Sequence, residues 1–511
     1  MNEKLPLVCV IGAGPCGIVA MKELKERGIP FEGFELGDRV GGLWIYENSN
    51  GRSCAYKSLH INTSKEKMQY SSFPMPDDYP DYPHHSLIAD YFESFVDHFD
   101  LKPSIRFKTG VDKVDRSDDG LWKVTLTTGE VKFFDAVVVA NGHHWNPSWP
   151  EPGFSGDFDG VEMHSFDYKT PTKPHDLRGK NVVVVGMGNS AMDIACELGA
   201  RGQADKVFLS VRRGTYVLPK YFGSSTTDAL VRHPAEKPSL IERSLPNGWY
   251  SRVLYPLLHL RTKMAVGNPE DFGLPKPSHK FGETHPTISN EIHTRLGSGD
   301  VLPKPNIKEL RGHEVLFEDG TVEKVDAIIY ATGYKITFPF FDEDVIDAKD
   351  NDVALYKRVL DPKYNNLFFV GLIQPLCSVM PIAELQSRWI ANIMTGHYKL
   401  PSQREMAKEI RTMHADMKTR YVRSKRHTIQ VECMEYSFDL QLEEEAGVKR
   451  ARKEGQVPPI EAVAENLNHQ QESREKSHAK RKVRGKARAN KSPKPSRHPK
   501  RSPKSVSQAG L

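Results

Sequence analysis

Two glycine-rich loops, each placed between a short apolar run and a helical pattern, constrain this chain more than any other feature. The first, Gly12-Ala13-Gly14-Pro15-Cys16-Gly17, follows LVCVI, and the second, Gly186-Met187-Gly188-Asn189-Ser190-Ala191, follows NVVVV. A strand, a tight glycine turn and a helix in this order form the phosphate-binding end of a dinucleotide-binding βαβ unit. The chain is therefore predicted to be an α/β protein with two Rossmann-like dinucleotide-binding domains.

The residues after the second strand of each unit distinguish the two sites. In the first unit Glu35 ends FEGFEL, where a carboxylate can accept hydrogen bonds from both ribose hydroxyls of a dinucleotide. In the second unit KVFLS is followed by Val211, Arg212 and Arg213, whose guanidinium groups would bind a 2′-phosphate that a carboxylate would repel. A solvated charge pair is the alternative for the two arginines. The simplest assignment places FAD in the first site and NADPH in the second, with hydride passing from nicotinamide to flavin.

Cysteine spacing and hydropathy exclude several classes of flavoprotein. The six cysteines, Cys9, Cys16, Cys54, Cys196, Cys377 and Cys433, form no C-x-x-C motif and no metal-like cluster. They predict free thiols in a reducing, cytoplasmic location, no metal site and no disulfide reductase activity. The longest apolar stretch, 366–383, is interrupted by Gln374, a glycine and two prolines, so no membrane span is predicted. Oxygen, acting with a small organic substrate, is the leading electron acceptor.

Composition divides the chain into five parts. Residues 1–150 and 336–400 are predicted to form an FAD-binding domain, and residues 151–335 an inserted NADP-binding domain. This domain carries its own insertion near 214–300, which is rich in Pro and His and is predicted to be irregular. A helical extension is predicted over 401–465 and a disordered basic tail over 466–511. Residues 471–511 hold 14 Lys and Arg against 2 Glu, a charge of +12, so the remainder carries −7 of the total +5. Such a tail would contact polyanions weakly and without sequence preference.

A third stretch, between the loops, carries a family resemblance. FDGVEMHSFDY (158–168) resembles the F-x-G-x-x-x-H-x-x-x-(Y/F/W) fingerprint of class B flavoprotein monooxygenases, and Tyr168 is similar to the flavin-containing monooxygenase branch, whereas Baeyer–Villiger enzymes usually carry Trp. Other similar stretches lie at 41–44 (GGLW), 62–82, 188–193 (GNSAMD), 331–334 (ATGY) and 381–389. The resemblance covers roughly residues 5–400 and leaves residues 401–511 outside, and the insertion near 214–300 differs enough that it implies nothing about substrate access.

The resemblance implies an NADPH- and O2-dependent monooxygenase similar to N,N-dimethylaniline monooxygenase. Reduced FAD would hold oxygen as a C4a-hydroperoxide, which oxygenates a soft nucleophile, an amine nitrogen or a sulfide sulfur of a small molecule. The protein must then exclude water rather than supply a strong acid or base. A Baeyer–Villiger monooxygenase acting on ketones is the alternative. A homodimer is compatible with the resemblance.

The resemblance also implies roles for single residues. Asn62 would be catalytic by donating from its amide to the oxygenating group, and the alternative is that it caps a helix beginning near Ser64. Trp44 would pack near the flavin ring, or be an ordinary core aromatic residue. His164 is interpreted as a hinge or docking residue between the domains, against direct proton transfer or a purely structural role.

Glu384 and Gln386 would begin a late helix aimed at the flavin, with a plain helix N-terminus as the alternative. The loops and the resemblance together predict this set of cofactor-binding residues: Gly12, Ala13, Gly14, Pro15, Gly17, Glu35, Gly42, Leu43, Trp44, Asn62, His164, Gly186, Gly188, Asn189, Ser190, Ala191, Asp193, Arg212, Arg213, Thr332 and Gln374.

Overall fold

The fold is built on two five-stranded parallel sheets, seen in a computed structural model that describes residues 5–245, 249–420 and 428–453. The first sheet has the order β21–β7–β1–β2–β3 and the second the order β16–β11–β10–β20–β9. The strands of the first sheet are β1 (Val8–Ile11), β2 (Phe31–Phe34), β3 (Ile105–Arg106), β7 (Ala136–Val139) and β21 (Leu367–Phe369). Those of the second are β9 (Val161–His164), β10 (Asn181–Val185), β11 (Lys206–Ser210), β16 (Leu302–Lys304) and β20 (Ala327–Tyr330).

Smaller sheets accompany each large one. An antiparallel sheet lies between β3 and β7 in the chain, and a four-stranded sheet of order β19–β18–β17–β8 accompanies the second large sheet. These strands are β4 (Val111–Arg116), β5 (Trp122–Leu126), β6 (Val131–Phe134), β8 (Ser155–Phe158), β17 (Ile307–Gly312), β18 (Glu314–Phe317) and β19 (Val322–Lys324). Two-residue strands form three further pairs: β12 (Val217–Leu218) with β15 (Thr287–Ile288), β13 (Tyr221–Phe222) with β14 (Ser225–Thr226), and β22 (Gln374–Pro375) with β23 (Gln430–Val431).

Helices follow the strands as the apolar patterns predict. They are α1 (Pro15–Glu26), α2 (Lys65–Met68), α3 (His85–His98), α4 (Asn189–Leu198), α5 (Leu240–Ser244), α6 (Trp249–Val266), α7 (Ile292–Gly297), α8 (Val379–Met394), α9 (Gln403–Arg420) and α10 (Cys433–Lys453). The central strands β1 and β7 are buried at every position, which explains their unbroken apolar sequence. α1 packs against α8, so helices from distant parts of the chain share one core. None of the described helices is both long and apolar enough to cross a lipid bilayer.

The chain leaves the first sheet after β7, forms the whole second sheet, and returns with β21, which pairs with β7 in parallel. This arrangement agrees in kind with a domain inserted into another. The exact boundaries at 150 and 335 stay predictions, and the tail prediction for 466–511 lies outside the described residues.

The insertion is more regular than the sequence analysis indicated. It contains α5, α6, α7 and short strands, although the prediction for 214–300 was irregular structure. Pro256 lies inside α6, and because proline normally interrupts a helix it conceals the helical pattern. Val253, Leu257, Leu260 and Met264 are largely exposed along α6 at helical spacing.

The cysteine prediction is wrong for one pair. Cys377 and Cys433 form a disulfide between the segment after β22 and the first residue of α10. The other four cysteines, Cys9, Cys16, Cys54 and Cys196, are free thiols. Cys377 and Cys433 are 56 residues apart in the chain, and this spacing matches no sequence motif that would predict their pairing.

The extension also docks through a buried carboxyl group at Glu432. Its Oε1 accepts from the Tyr255 hydroxyl of α6 at 2.9 Å, and its Oε2 accepts from the Glu435 backbone N–H at 2.7 Å. Burial, together with the nearby Glu435 carboxylate, raises the pKa of Glu432 to about 7, while Tyr255 and Arg420 lower it. A carboxyl group whose pKa is raised in the folded state stabilises the protein when protonated.

We therefore expect the stability contributed by Glu432 to be lost as the pH rises from about 4.5 to about 7. The raised pKa corresponds to at most about 3 kcal/mol. Glu432→Gln should gain stability over the parent protein at pH 8 and little at pH 5, as measured by urea unfolding at both values. The exposed Glu314→Gln serves as a control, and an equal effect of Glu432→Gln at the two pH values would contradict the assignment.

Candidate functional site

The two glycine loops share one backbone geometry. Gly12 has φ +97° and a Cβ there would lie 2.6 Å from the Ala140 carbonyl oxygen; Gly186 has φ +136° and its Cβ would lie 2.6 Å from the Ala331 carbonyl oxygen. Ala140 follows β7 and Ala331 follows β20, the strands beside β1 and β10. Both turns therefore pass under a carbonyl of the neighbouring strand, where only glycine fits.

The loops differ at their third small position. A Cβ on Gly17 would lie 1.9 Å from the Gly12 carbonyl oxygen, so no side chain fits there. Ala191 takes the corresponding place in the second loop and is fully buried. The second loop therefore leaves room for one methyl group between its turn and α4, so that Ala191 fits where the first loop requires Gly17.

Both helices after the loops begin without a side-chain cap. Gly14 is the N-cap residue of α1 and Gly188 that of α4, and neither helix has a capping side chain. Their first backbone N–H groups, together with the helix dipoles, can bind phosphate oxygens. Gly42 lies against the first loop, since a Cβ on it would be 3.1 Å from the Gly14 Cα. The GGLW segment thus forms a second wall close to the first turn.

Glu35 lies at the end of the first βαβ unit, almost fully buried. Its Oε2 accepts from the Ala13 backbone N–H at 2.8 Å, and its Oε1 accepts from the Gly37 N–H at 2.7 Å and the Asn50 amide at 3.3 Å. The carboxylate therefore holds the glycine turn in addition to facing the cavity described below. Its lone pairs suit the ribose hydroxyls of a dinucleotide.

One cavity of about 590 Å³ connects the two loops. Its walls include these predicted residues: Gly12, Gly14, Pro15, Glu35, Gly42, Leu43, Trp44, Asn62, Gly188, Asn189 and Gln374. The remaining predicted residues do not line it: Ala13, Gly17, His164, Gly186, Ser190, Ala191, Asp193, Arg212, Arg213 and Thr332. The glycine cradle, the uncapped helix N-termini and the buried carboxylate of Glu35 fit FAD on the first side.

Asn62 lines this cavity, and its alternative role is wrong. The N-cap residue of α2 is Ser64, so Asn62 does not cap that helix. Among the described residues none forms a hydrogen bond with the Asn62 amide. Trp44 is half-buried in the 3-10 helix Gly42–Trp44, with one side on the core and another on the cavity.

The late helix begins earlier than predicted. α8 starts at Val379, ahead of Glu384 and Gln386, and Ser378, Val379 and Met380 line the cavity. Pro381 lies within the first turn, where its missing N–H has no acceptor to lose.

The prediction that Glu384 and Gln386 begin this helix is therefore wrong. Glu384 accepts from the Ser71 N–H at 2.7 Å and the Ser72 N–H at 3.1 Å. Gln386 accepts from the Gly371 N–H at 2.9 Å and donates to Tyr436 at 2.7 Å. Both side chains hold loops in place and do not face the cavity.

On the second side the insertion closes over the glycine loop. The Asn189 Oδ1 accepts from the Ile288 N–H at 2.9 Å, and the Thr287 hydroxyl donates to the Met187 carbonyl at 2.5 Å. Asp193 accepts from the Tyr56 hydroxyl, and burial raises the Asp193 pKa to about 6. Asp193 thus joins the two parts of the chain and does not line the cavity.

Arg212 and Arg213 are exposed immediately after β11, at the carboxyl edge of the second sheet. This position is free to receive a 2′-phosphate from solvent. Thr332, in the ATGY segment, donates its hydroxyl to the Ser148 carbonyl at 2.5 Å. Its observed contact is therefore structural.

The fingerprint segment (158–168) contains β9, the edge strand of the second sheet beside β20. His164 ends β9, is fully buried, and its Nδ1 accepts from the Phe166 N–H at 3.1 Å. Burial lowers the His164 pKa to about 4, so the ring is neutral at pH 7. Because the ring does not line the cavity, direct proton transfer to a bound substrate is disfavoured.

Further contacts of this segment support the docking interpretation of His164, which stays a prediction. The Lys169 carbonyl oxygen accepts from the Lys57 N–H at 2.9 Å, and the Lys169 Nζ donates to the Ser53 carbonyl at 2.9 Å. The Tyr168 hydroxyl donates to Glu197 at 2.8 Å, inside the second core. Tyr168 and Lys169, at the end of the segment, thus attach residues 53–57 of the FAD-binding part to the second sheet.

The sequence analysis missed several cavity residues. Arg52 lies over the Trp145 ring at 4.5 Å, and both line the cavity. His285, Pro286 and Thr287 reach it from the insertion. No spacing rule marks these residues, because they come from loops whose path depends on the whole fold. In the described part of the chain, no group of three or more His, Cys, Asp and Glu is arranged to hold a metal ion.

Comparisons with known proteins agree with this geometry. Flavin-containing monooxygenase 5 of Rattus norvegicus is 39% identical over 450 residues, covering 85% of this chain and 82% of the relative. Dimethylaniline monooxygenase [N-oxide-forming] 2 of Rattus norvegicus is 36% identical over 450 residues, with 85% and 82% of the two chains covered.

Solved structures show the same fold. S-allyl-L-cysteine S-oxygenase from Allium sativum has 25% identity and a TM-score of 0.63, with 89% of this chain and 94% of that chain covered. The closed crystal structure of cyclohexanone monooxygenase has 19% identity and a TM-score of 0.64, with 89% and 99% covered. These solved structures confirm the predicted fold class, and the family model and the curated relatives confirm the FAD and NADPH cofactors. Since the family model described as "Flavin-binding monooxygenase-like" matches residues 6–450, the chain belongs to the flavin-binding monooxygenase-like family.

Proposed function

We propose that this chain uses NADPH and O2 to oxygenate a soft nucleophile, an amine nitrogen or a sulfide sulfur, of a small molecule. The observation that carries the proposal is the single cavity that contains residues of both glycine loops, because hydride transfer requires the two dinucleotides to meet. The similarity to an N-oxide-forming dimethylaniline monooxygenase and to an S-oxygenase supports this substrate class.

The bound flavin supplies the redox and oxygen chemistry, so the residues of this chain need only bind, orient and shield. The N-terminus of α1 and the Gly12 turn would hold the FAD pyrophosphate, and Glu35 the ribose. Arg212 and Arg213 would bind the 2′-phosphate of NADPH. Trp44 and the first turn of α8 would exclude water beside the flavin.

Asn62 is proposed as the residue that orients the reacting oxygen, since its amide lines the cavity. We expect Asn62→Ala to consume NADPH at a near-normal rate while releasing more hydrogen peroxide and forming less product. One lost hydrogen bond to a charged group corresponds to about 1.5–3 kcal/mol, or about 10- to 100-fold in product yield per peroxide released. Peroxide and product are quantified per NADPH.

Asn306→Ala is the matched control. The Asn306 amide donates a hydrogen bond to Glu318 and does not line the cavity, so this variant should leave coupling unchanged. Unchanged coupling in Asn62→Ala would remove Asn62 from the proposal.

The substrate class is tested by offering the purified enzyme a thioether, a tertiary amine and a cyclic ketone. S-oxide or N-oxide formation is expected. Ester formation without either oxide would instead support the Baeyer–Villiger alternative. The Tyr168 side chain is buried against Glu197 and away from the cavity, so its identity does not act through substrate contact.

The oligomeric state, the cellular location and the role of the basic tail are separate proposals with their own measurements. We propose a cytoplasmic location and a homodimer, measurable by cell fractionation and by light scattering. Deleting 466–511 should leave turnover unchanged if the basic tail only contacts polyanions.

A further inference from the structure

The disulfide places a redox-active group at the wall of the cofactor cavity. Cys377 is half-buried and lines that cavity beside Ser378, the N-cap residue of α8. Its partner Cys433 is 2% exposed and begins α10. Cys377 therefore lies at the cavity wall, whereas Cys433 lies in the core that the extension shares.

We propose that Cys377–Cys433 is a thiol–disulfide exchange site that takes a small-molecule thiol and sets the coupling efficiency of the enzyme. The cavity-facing Cys377 sulfur is the one that an incoming thiolate meets. Attack forms a mixed disulfide on Cys377 and releases the Cys433 sulfur, which takes up a proton. A second small-molecule thiolate then attacks the small-molecule sulfur of the mixed disulfide and releases Cys377, which takes up a proton, so that two small thiols become one small disulfide and the protein gains two thiols.

The bond secures a short strand pair that shapes the cavity wall. The Gln374 N–H donates to the Ile429 carbonyl at 2.8 Å, and the Leu376 N–H to the Val431 carbonyl at 3.3 Å. β22 and β23 have two residues each, so the disulfide is a large part of what holds them together. Gln374 and Pro375 of β22 line the cavity. Opening the bond therefore loosens the wall beside the flavin.

A second route connects α10 to the same wall. The Tyr436 hydroxyl accepts from Gln386 at 2.7 Å, and Gln386 accepts from the Gly371 N–H at 2.9 Å. Gly371 lines the cavity next to Cys16, whose Sγ would lie 2.2 Å from a Cβ on Gly371. A shift of the first turn of α10 would therefore reach the cavity at two places.

The other cysteines do not compete for this chemistry. Cys9, Cys16, Cys54 and Cys196 are free thiols, and burial raises the pKa of each, which keeps them protonated. Since the thiolate is the reactive form, exchange is confined to the disulfide pair.

The oxidised form can be restored by the enzyme's own by-product. Hydrogen peroxide released in uncoupled turnover oxidises two thiols to a disulfide, taking their two protons and leaving two waters. This return step rests on the proposed function, whereas the reduction step does not. Poor coupling would thus reform the bond that keeps the wall closed.

The test uses the full-length, FAD-loaded protein in buffers of reduced and oxidised glutathione. Native thiols are alkylated, and the peptides with Cys377 and Cys433 are quantified by mass spectrometry. We expect both to be reduced together in the folded protein, with a rise of about two- to tenfold in peroxide released per NADPH. Flavin fluorescence reports in parallel on cofactor release.

Cys377→Ser with Cys433→Ser should behave as the reduced form and ignore the glutathione ratio. Cys196→Ala, which changes a free thiol in the second core, should respond as the parent protein does. If alkylation of the pair requires unfolding, the exchange site is refuted regardless of any activity. If the pair is reduced in the native protein and neither peroxide release nor flavin retention changes, the coupling role is refuted, while product formation still reports on the proposed function.

Discussion

A Gly17→Ala variant should be recovered without flavin. The added Cβ would lie 1.9 Å from the Gly12 carbonyl oxygen, a backbone atom that cannot move without opening the first turn. Overpacking of this kind costs about 3 kcal/mol or more where backbone must shift. The turn would separate from α1, and the phosphate-binding N–H groups would lose their alignment. The flavin-to-protein absorbance ratio and the thermal unfolding midpoint measure the loss.

Two variants calibrate this result. Gly297→Ala adds a methyl group at the end of α7 where no atom lies within 4 Å, so it should keep its flavin. Ala191→Gly, at the equivalent position of the second loop, should also keep flavin. Full flavin content in Gly17→Ala would contradict this prediction, because it would show that the Gly12 carbonyl can move away from residue 17 without loss of the phosphate-binding site.

The double variant Arg212→Ala with Arg213→Ala should lose its preference for NADPH. Two exposed guanidinium groups follow β11 at the edge of the second sheet, where a 2′-phosphate would lie. Charge-assisted hydrogen bonds contribute about 1.5–3 kcal/mol, so the KM for NADPH should rise by about 10- to 100-fold. NADH lacks the phosphate, and its KM should change by about twofold or less.

Arg201→Ala removes an exposed arginine elsewhere in the same domain and should change neither KM. Equal increases for NADPH and NADH in the double variant would refute the phosphate role and favour a solvated charge pair. The single variants then show which of the two arginines carries the effect.

The sequence predicted those parts of the molecule that local rules govern. The two glycine loops, the strands before them and the helices after them are set by turn geometry and apolar period, and the structure contains them. Glu35 follows from a fixed distance within such a unit, whereas Asn62 follows from the family resemblance, and both line the cavity. The change from Gly17 in the first loop to Ala191 in the second could also be interpreted from the sequence, because whether one methyl group fits there depends only on the local turn.

The missed features depend on contacts between distant segments. No pattern joins Cys377 to Cys433, since their approach is decided by how α10 packs on α8. The first turn of α8 contains Pro381, and proline there is compatible with the helix although its sequence signal is that of a boundary. Glu384 was read as part of a helix start, and its real partners, Ser71 and Ser72, lie far away in the chain.

The pairing of β21 with β7 has a consequence for the order of events during synthesis. Every strand of the second sheet lies between Val161 and Tyr330, so that sheet can form while Leu367–Phe369 is still inside the ribosome. Until β21 emerges, β7 remains an edge strand with unused backbone groups, which invites mispairing. Since Gln374 and the first turn of α8 come later still, FAD uptake must await their emergence from the ribosome. The inserted domain folds first, and the domain that begins the chain closes last.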